Sequence, residues 1–201
     1  MIEYLDHIDR AVFLFLNGMH NPFFDKMMFA ATNGALWIPL YLFFLFFVIR
    51  KYKWNTLLIL VIVAIMILAS DTASAFVKET VHRPRPSWQP GLMVHIVQAY
   101  KGGHWGFYSG HASNTFCVAI FLCMILGKRY WYVGLLAILW SVIMSYTRIY
   151  LGVHYPGDII SGWVAGSLFG LICKFIVQTA IHNPVGSDSK FNETAESSAE
   201  A

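Results

Sequence analysis

Residues 56–76 run from Thr56 to Phe76 with one charged side chain, Asp71. At about 1.5 Å per residue, such a run crosses a hydrocarbon core about 30 Å thick. Backbone polar groups find no water there, so the segment has to satisfy them within a helix. Four further apolar runs fit the same description: 27–49, 111–127, 131–147 and 159–177. Hydrophobic residues make up 57% of the 201 positions and charged ones 12%, against about 45–50% and about 25% in a soluble domain. That balance excludes a disordered chain and a secreted disulfide scaffold. With a net charge of only +3, it also excludes a nucleic-acid module. The expectation is an all-α integral membrane bundle of about five transmembrane helices, forming a single domain over residues 1–180.

Details of the runs sharpen this expectation. Pro39 inside the first run predicts a kink. The runs at 111–127 and 131–147 are short and suit helices whose ends are sheltered by protein around a polar site. Gly162, Gly166 and Gly170 give the fifth run a GxxxGxxxG ridge on which another helix packs closely. Cys117, Cys123 and Cys173 lie in apolar runs without a CxxC pair and read as small buried hydrophobes. Glu3, Asp6 and Asp9 open the chain where a signal peptide would have a basic region. Residues 2–16 therefore read as an amphipathic helix in the interface, with a sixth span as the alternative. The tail over 181–201, rich in Ser, Glu, Ala and Asn, reads as disordered.

Charge sets the orientation. With five spans, the short links 50–55 and 128–130 share one side and carry Arg50, Lys51, Lys53, Lys128 and Arg129 with no acid. The positive-inside rule places them in the cytoplasm. The long polar connections, 77–110 and 148–158, then face outward.

Those connections hold the chemistry. The first contains Lys78, Arg85-Pro86 and Ser109-Gly110-His111; the second contains Arg148, His154 and Asp158. Singly, each fragment reads as a headgroup-facing basic cluster or a structural histidine. Together they put cations, two histidines and a carboxylate on one face. Lys78, Arg85 and Arg148 supply donors for an anion, the arginines in bidentate fashion. Ser109-Gly110-His111 sits at a helix start, where free N–H groups bind phosphate and Gly110 permits close approach. Ser109 caps that helix or donates to the ligand. Asp158, at the next helix start, accepts from one nitrogen of His154 and leaves the other free as nucleophile or base. His111 remains to protonate a leaving oxygen. The set suits phosphoryl transfer by covalent catalysis, without a metal or cofactor.

These residues resemble the three-part signature of the type-2 phosphatidic acid phosphatase superfamily: K-x6-R-P, P-S-G-H and S-R-x5-H-x3-D. Tyr108 stands where the second part has Pro, and Thr147 where the third has Ser. The resemblance spans about residues 20–178. It implies that His154 forms a phosphohistidine, that Asp158 holds and polarises it, and that His111 is the general acid. It implies that Lys78, Arg85, Ser109, Gly110 and Arg148 bind phosphate, with no metal needed. It further implies a lipid phosphate substrate, a bilayer setting and a multi-pass place in a bacterial cytoplasmic membrane, with the site facing outward. Undecaprenyl diphosphate is ranked first among substrates, with lipid A phosphate and phosphatidylglycerol phosphate or phosphatidic acid as alternatives. A non-catalytic lipid-phosphate binder needs neither acid nor nucleophile, and a vanadate-dependent haloperoxidase would be soluble. Arg83 reads as a loop-surface or headgroup contact before a fourth phosphate ligand. Asp71 reads as a polar helix-end contact or a group orienting Lys78. His82, His95 and His104 lack metal-ligand spacing. Trp88, Trp105 and Tyr100 line an entry path or anchor the interface.

Overall fold

The computed structural model describes residues 2–182, which form helices α1 (Ile2–Gly18), α2 (Pro22–Ala30), α3 (Ile38–Tyr52), α4 (Thr56–Val81), α5 (Gly110–Leu126), α6 (Trp131–Tyr150) and α7 (Pro156–His182). The all-α expectation holds: an isolated bridge between Pro84 and Trp105 is the β-type pairing recorded among the described residues. Gly34–Val81, which contains α3 and α4, Lys128–Tyr150 and Pro156–Ile181 are long and apolar enough to cross a membrane. The outer faces of these helices carry exposed Leu57, Leu68, Val164, Leu168 and Phe175, as lipid contact requires.

The run 27–49 is not one helix. Asn21 accepts from the N–H groups of Phe23 and Phe24 at 3.0 and 2.9 Å and starts α2 with Pro22 in its first turn. The helix stops at Ala30, and Asn33 caps a short 3-10 turn, Gly34–Trp37, that leads into α3. Pro39 therefore falls in the first turn of α3, where its missing N–H costs nothing, and the predicted kink does not arise. Helices α4, α6 and α7 outrun their apolar cores. Helix α4 continues past Phe76 through Lys78, α6 through Arg148, and α7 starts at Pro156. Residues 181–182 belong to α7 and not to the tail. The disorder expected of 183–201 lies outside the described residues.

Helix α5 is the centre of the bundle, which explains how a 17-residue helix about 25 Å long is accommodated. The glycine ridge of α7 packs on it. A side-chain carbon at Gly162 would lie 2.7 Å from the Ser109 carbonyl oxygen, and one at Gly170 would lie 2.8 Å from that of Cys117. At Gly166 it would overlap the Ser113 carbonyl. Small polar pairs join α4 and α6 to this centre, Ser70–Ser113 and Thr115–Ser141, both at 2.8 Å, and Trp163 of α7 donates to Ser145 of α6 at 2.9 Å. Gly166→Ala should lower stability in detergent by roughly 1–3 kcal/mol, because the two backbones must separate. A side chain at Gly103 meets nothing within 4 Å, so Gly103→Ala should leave the melting temperature unchanged. Equal melting of the two variants would contradict this packing.

The two ends differ. At one end, Lys51 and the Tyr52 hydroxyl donate to the Ile125 carbonyl, so the two basic links lie side by side. At the other end lies α1. Its Asp9 accepts from the Gly157 N–H at 2.7 Å, and its Asn17 donates to the carbonyls of His95, Ile149 and Tyr150 at 3.1, 3.2 and 2.8 Å. These anchors, eight residues apart on α1, both touch the long polar connections. Helix α1 is therefore tied at both of these positions to the polar end of the bundle.

Candidate active site

The site forms where the starts of α5 and α7 meet the end of α6. The Ser109 N–H donates to the Asp158 carbonyl at 3.1 Å, tying the two helix starts together. The Ser109 hydroxyl accepts from the Ala112 N–H at 3.4 Å, so of its two expected roles it performs the cap. Between α6 and α7 the chain turns tightly. The Arg148 carbonyl accepts from the N–H groups of Val153 and His154 at 3.0 and 3.3 Å. Gly152 makes the turn possible: its φ is +74°, and a side chain there would strike Val94 at 2.6 Å.

This turn aims His154 back at α7. Its Nδ1 lies 3.4 Å from Asp158 Oδ2, which also accepts from the Tyr155 N–H at 3.0 Å. His154 is 2% exposed and Asp158 0%. Burial pushes the His154 imidazole down to about 4. Asp158 opposes that shift, and nearby Arg85 and Lys78 add to it. The ring is therefore neutral near pH 7, with Nδ1 engaged and Nε2 available.

The cations arrive from three elements. Lys78 is half-buried on the last turn of α4. Arg85 is set by the Pro84–Trp105 bridge: its N–H donates to the His104 carbonyl at 3.0 Å, and its Nε to that of Trp105 at 3.1 Å. Gly106 allows Arg85 to sit beside Asp158, since a side chain at Gly106 would lie 3.1 Å from Asp158 Oδ2 and 3.2 Å from the Arg85 Cγ. Arg148 is 2% exposed, and its Nε and Nη2 are buried without a hydrogen-bond partner. A buried guanidinium with unmet donors is costly unless an anion completes it. His111 stands at the start of α5 with its side chain exposed, in electrostatic reach of Arg148, His154, Lys78 and Arg85.

Other residues fall differently from the sequence expectation. Arg83 is neither a surface contact nor a free phosphate ligand. Its Nη1 donates to Asp158 Oδ1 at 2.7 Å, and its Nη2 to Asp6 and Asp9 at 3.0 and 2.7 Å. Asp71 accepts from Asn114 at 2.8 Å and forms no ion pair with Lys78. The space beside Gly110 is taken by Ser74 Oγ at 3.0 Å, so this glycine serves the approach of α4 to α5. Tyr108 is buried, its carbonyl accepting from Ser74 at 3.3 Å. His82 and His104 pack on Trp105. His95 pairs with Asp25 at 2.9 Å and stacks on His20. Among the described residues, no three His, Cys, Asp or Glu side chains are placed to hold a metal ion.

The model of the PAP2 superfamily matches residues 59–182. A lipid A 4'-phosphatase of Bacteroides thetaiotaomicron is 39% identical over 181 residues, covering 88% of this chain and 80% of the relative. A lipid A 4'-phosphatase of Porphyromonas gingivalis is 31% identical over 175 residues, covering 84% and 72%. The fold is similar to a transmembrane PAP2-type phosphatidylglycerolphosphate phosphatase of Bacillus subtilis, with a TM-score of 0.64, 22% identity and coverage of 91% and 90%.

Proposed function

Because the chain belongs to the PAP2 superfamily and is a membrane lipid phosphatase, we propose that it hydrolyses the 4'-phosphate ester of lipid A through a phosphohistidine on His154. The observation that carries the reading is Arg148, a buried guanidinium with two unmet donors that, like the neutral His154, lies within electrostatic reach of His111. A phosphate dianion supplies the acceptors that Arg148, Arg85 and Lys78 need. The ranking of undecaprenyl diphosphate as first substrate is not supported: the two relatives compared above are lipid A 4'-phosphatases. The exposed position of His111 also suits a bulky sugar alcohol as leaving group.

The steps balance on this chain's own groups. Binding of the phosphate dianion offsets the surrounding cations and lets His111 take a proton from solvent; His154 Nε2 then attacks phosphorus as the ester P–O bond breaks, and His111 gives that proton to the departing sugar oxygen. The negative charge of Asp158 stabilises the positive charge that grows on the imidazole. Neutral His111 then takes a proton from water, which attacks phosphorus. The P–N bond breaks and phosphate leaves. The basic links 50–55 and 128–130 support a cytoplasmic position for that end and an outward-facing site.

The test offers purified protein in detergent, with EDTA present, lipid A and undecaprenyl diphosphate side by side. Faster phosphate release from lipid A, with the mass loss located at the 4' position and inhibition by vanadate, is the expected result. Faster release from undecaprenyl diphosphate would overturn the substrate, and a requirement for added metal would overturn the mechanism.

A further inference from the structure

We propose that Arg83, gripped by Asp9 and Asp6 of α1, is a positioning residue that holds Asp158 in register with His154. The inference rests on the phosphohistidine reading above and adds to it a role for α1.

Asp158 makes three side-chain contacts, and the one to His154 is the longest. Oδ1 receives Arg83 Nη1 at 2.7 Å, and Oδ2 receives the Tyr155 N–H at 3.0 Å and faces His154 Nδ1 at 3.4 Å. The two short bonds fix the plane of the carboxylate, and the His154 contact follows from them. Arg83 is itself fixed on every side. Its guanidinium lies 4.3 Å from the centre of the Tyr155 ring, and Phe13 of α1 packs edge-on against the same ring at 5.3 Å. Its side chain is 20% exposed. Both terminal nitrogens are bonded to carboxylates. That leaves Arg83 poorly suited to take phosphate, although it lies two residues from Arg85.

The acids of α1 matter for a second reason. A lone arginine at 2.7 Å would draw the charge of Asp158 to itself and weaken its hold on the growing imidazolium. Here three carboxylates share the cation, so Asp158 retains negative charge for His154. Asp9 also accepts from the Gly157 N–H at 2.7 Å, in the first turn of the helix that carries Asp158. Gly157 is needed for this approach: a side-chain carbon there would lie 2.7 Å from Asp9 Oδ2. Tyr4 and Phe15 of α1 are exposed, and Leu5, Ile8 and Val12 line an apolar groove shared with Asp6, Asp9 and Arg83. Through Asp6 and Asp9, α1 thereby sets the geometry of the nucleophile's carboxylate.

The experiment compares Arg83→Gln, Arg83→Lys, Asp9→Asn and the double variant Arg83→Gln/Asp9→Asn, in the full chain in detergent. Measured are kcat and KM for a lipid phosphate, and the inhibition constant of inorganic phosphate. Arg83→Gln should lose about 30-fold in kcat, as a slightly misplaced reacting group does. KM and the phosphate inhibition constant should stay within about two-fold, because Lys78, Arg85 and Arg148 remain. Arg83→Lys should recover part of kcat, and Asp9→Asn alone should cost about 5-fold. The double variant should match Arg83→Gln, since the amide oxygen of asparagine can still accept from the Gly157 N–H and only the contact with Arg83 is lost. A phosphate inhibition constant that rises with Arg83→Gln would make Arg83 a phosphate ligand and overturn the proposal. So would independent, multiplying losses in the double variant, or an unchanged kcat. If Arg83→Gln does not fold, Arg83→Lys and Asp9→Asn carry the same kcat-against-KM comparison. A wild-type chain inactive on every lipid phosphate would overturn the functional reading. An active wild type with an indifferent Arg83 overturns only the positioning role.

Discussion

His154→Ala is expected to lose at least about 10⁴-fold in kcat on a lipid phosphate, because no other group can carry the phosphoryl between the two steps. His154 is 2% exposed, so truncation also opens a cavity. His154→Asn, which keeps most of the volume, separates chemistry from folding and should be equally inactive. Brief incubation of wild type with labelled substrate followed by alkaline quench should trap acid-labile phosphate on the protein, and both variants should trap none. The pH dependence follows from burial. The imidazole sits at about 4, well below the usual 6.5. The neutral, attacking form therefore persists down to about pH 4 and is lost only as pH falls through that value. After the substrate's own ionisation near pH 6 is divided out, the acid limb of kcat/KM should fall near pH 4. A limb near 6.5 would mean that His154 is solvated in the working enzyme. Retention of more than about a percent of activity by His154→Asn would remove it from the nucleophile's role.

The sequence carried some parts of this molecule openly. Hydropathy located α4 to α7, because a lipid-facing helix must be apolar along its length. It misjudged the far ends of α4 and α6, since Lys78 and Arg148 are polar yet helical, whereas Pro156 marked the start of α7 and put Asp158 in its first turn. The 27–49 run misled for the opposite reason. It is apolar throughout, but Asn21-Pro22 and Asn33-Gly34 are local start signals that divide it into α2 and α3. The glycine ridge read correctly as a close-packing face; its partner, α5, emerges only in three dimensions.

The candidate site divides along the same line. Lys78, Arg85, Ser109, Gly110, His111, Arg148, His154 and Asp158 could be picked out as candidates because they match the three-part signature position by position, while the structure gives Ser109 a helix cap and Gly110 a contact with α4. The role of Arg83 was not legible, since its partners lie 74 to 77 residues away in Asp9, Asp158 and Asp6. One signal was available. Asp6 and Asp9 stand three apart on α1, and Arg10 one turn on from Asp6 answers only Asp6, so Asp9 is left needing a cation from elsewhere. Asn17 was equally hidden. Nothing in its neighbourhood announces a side chain 1% exposed that binds three carbonyls.

His111→Ala should cost about 10³-fold on lipid A and behave differently on an activated ester. The sugar alkoxide is a poor leaving group and needs a proton as the P–O bond breaks. The 4-nitrophenolate ion leaves without one. With 4-nitrophenyl phosphate, the first chemical step in His111→Ala should therefore stay within about ten-fold of wild type. The second step still requires a base for water, and His111 is the group placed to provide it. The variant should accordingly release one rapid equivalent of nitrophenolate per enzyme and then turn over slowly, with phosphohistidine accumulating. The fold should survive. The His111 side chain is exposed, and alanine favours the first turn of α5 at least as well. The local bond from Thr115 uses the His111 carbonyl and not its ring. Rapid-mixing absorbance gives the burst, and labelled substrate gives the trapped intermediate. Equal losses on both substrates without a burst would mean that His111 serves phosphate binding. Arg148 and Arg85 would then have to bind a leaving oxygen that departs unprotonated, which the low acidity of a sugar alcohol makes slow. The shape of the progress curve on the activated ester thus decides between an acid and an anchor at the mouth of the site.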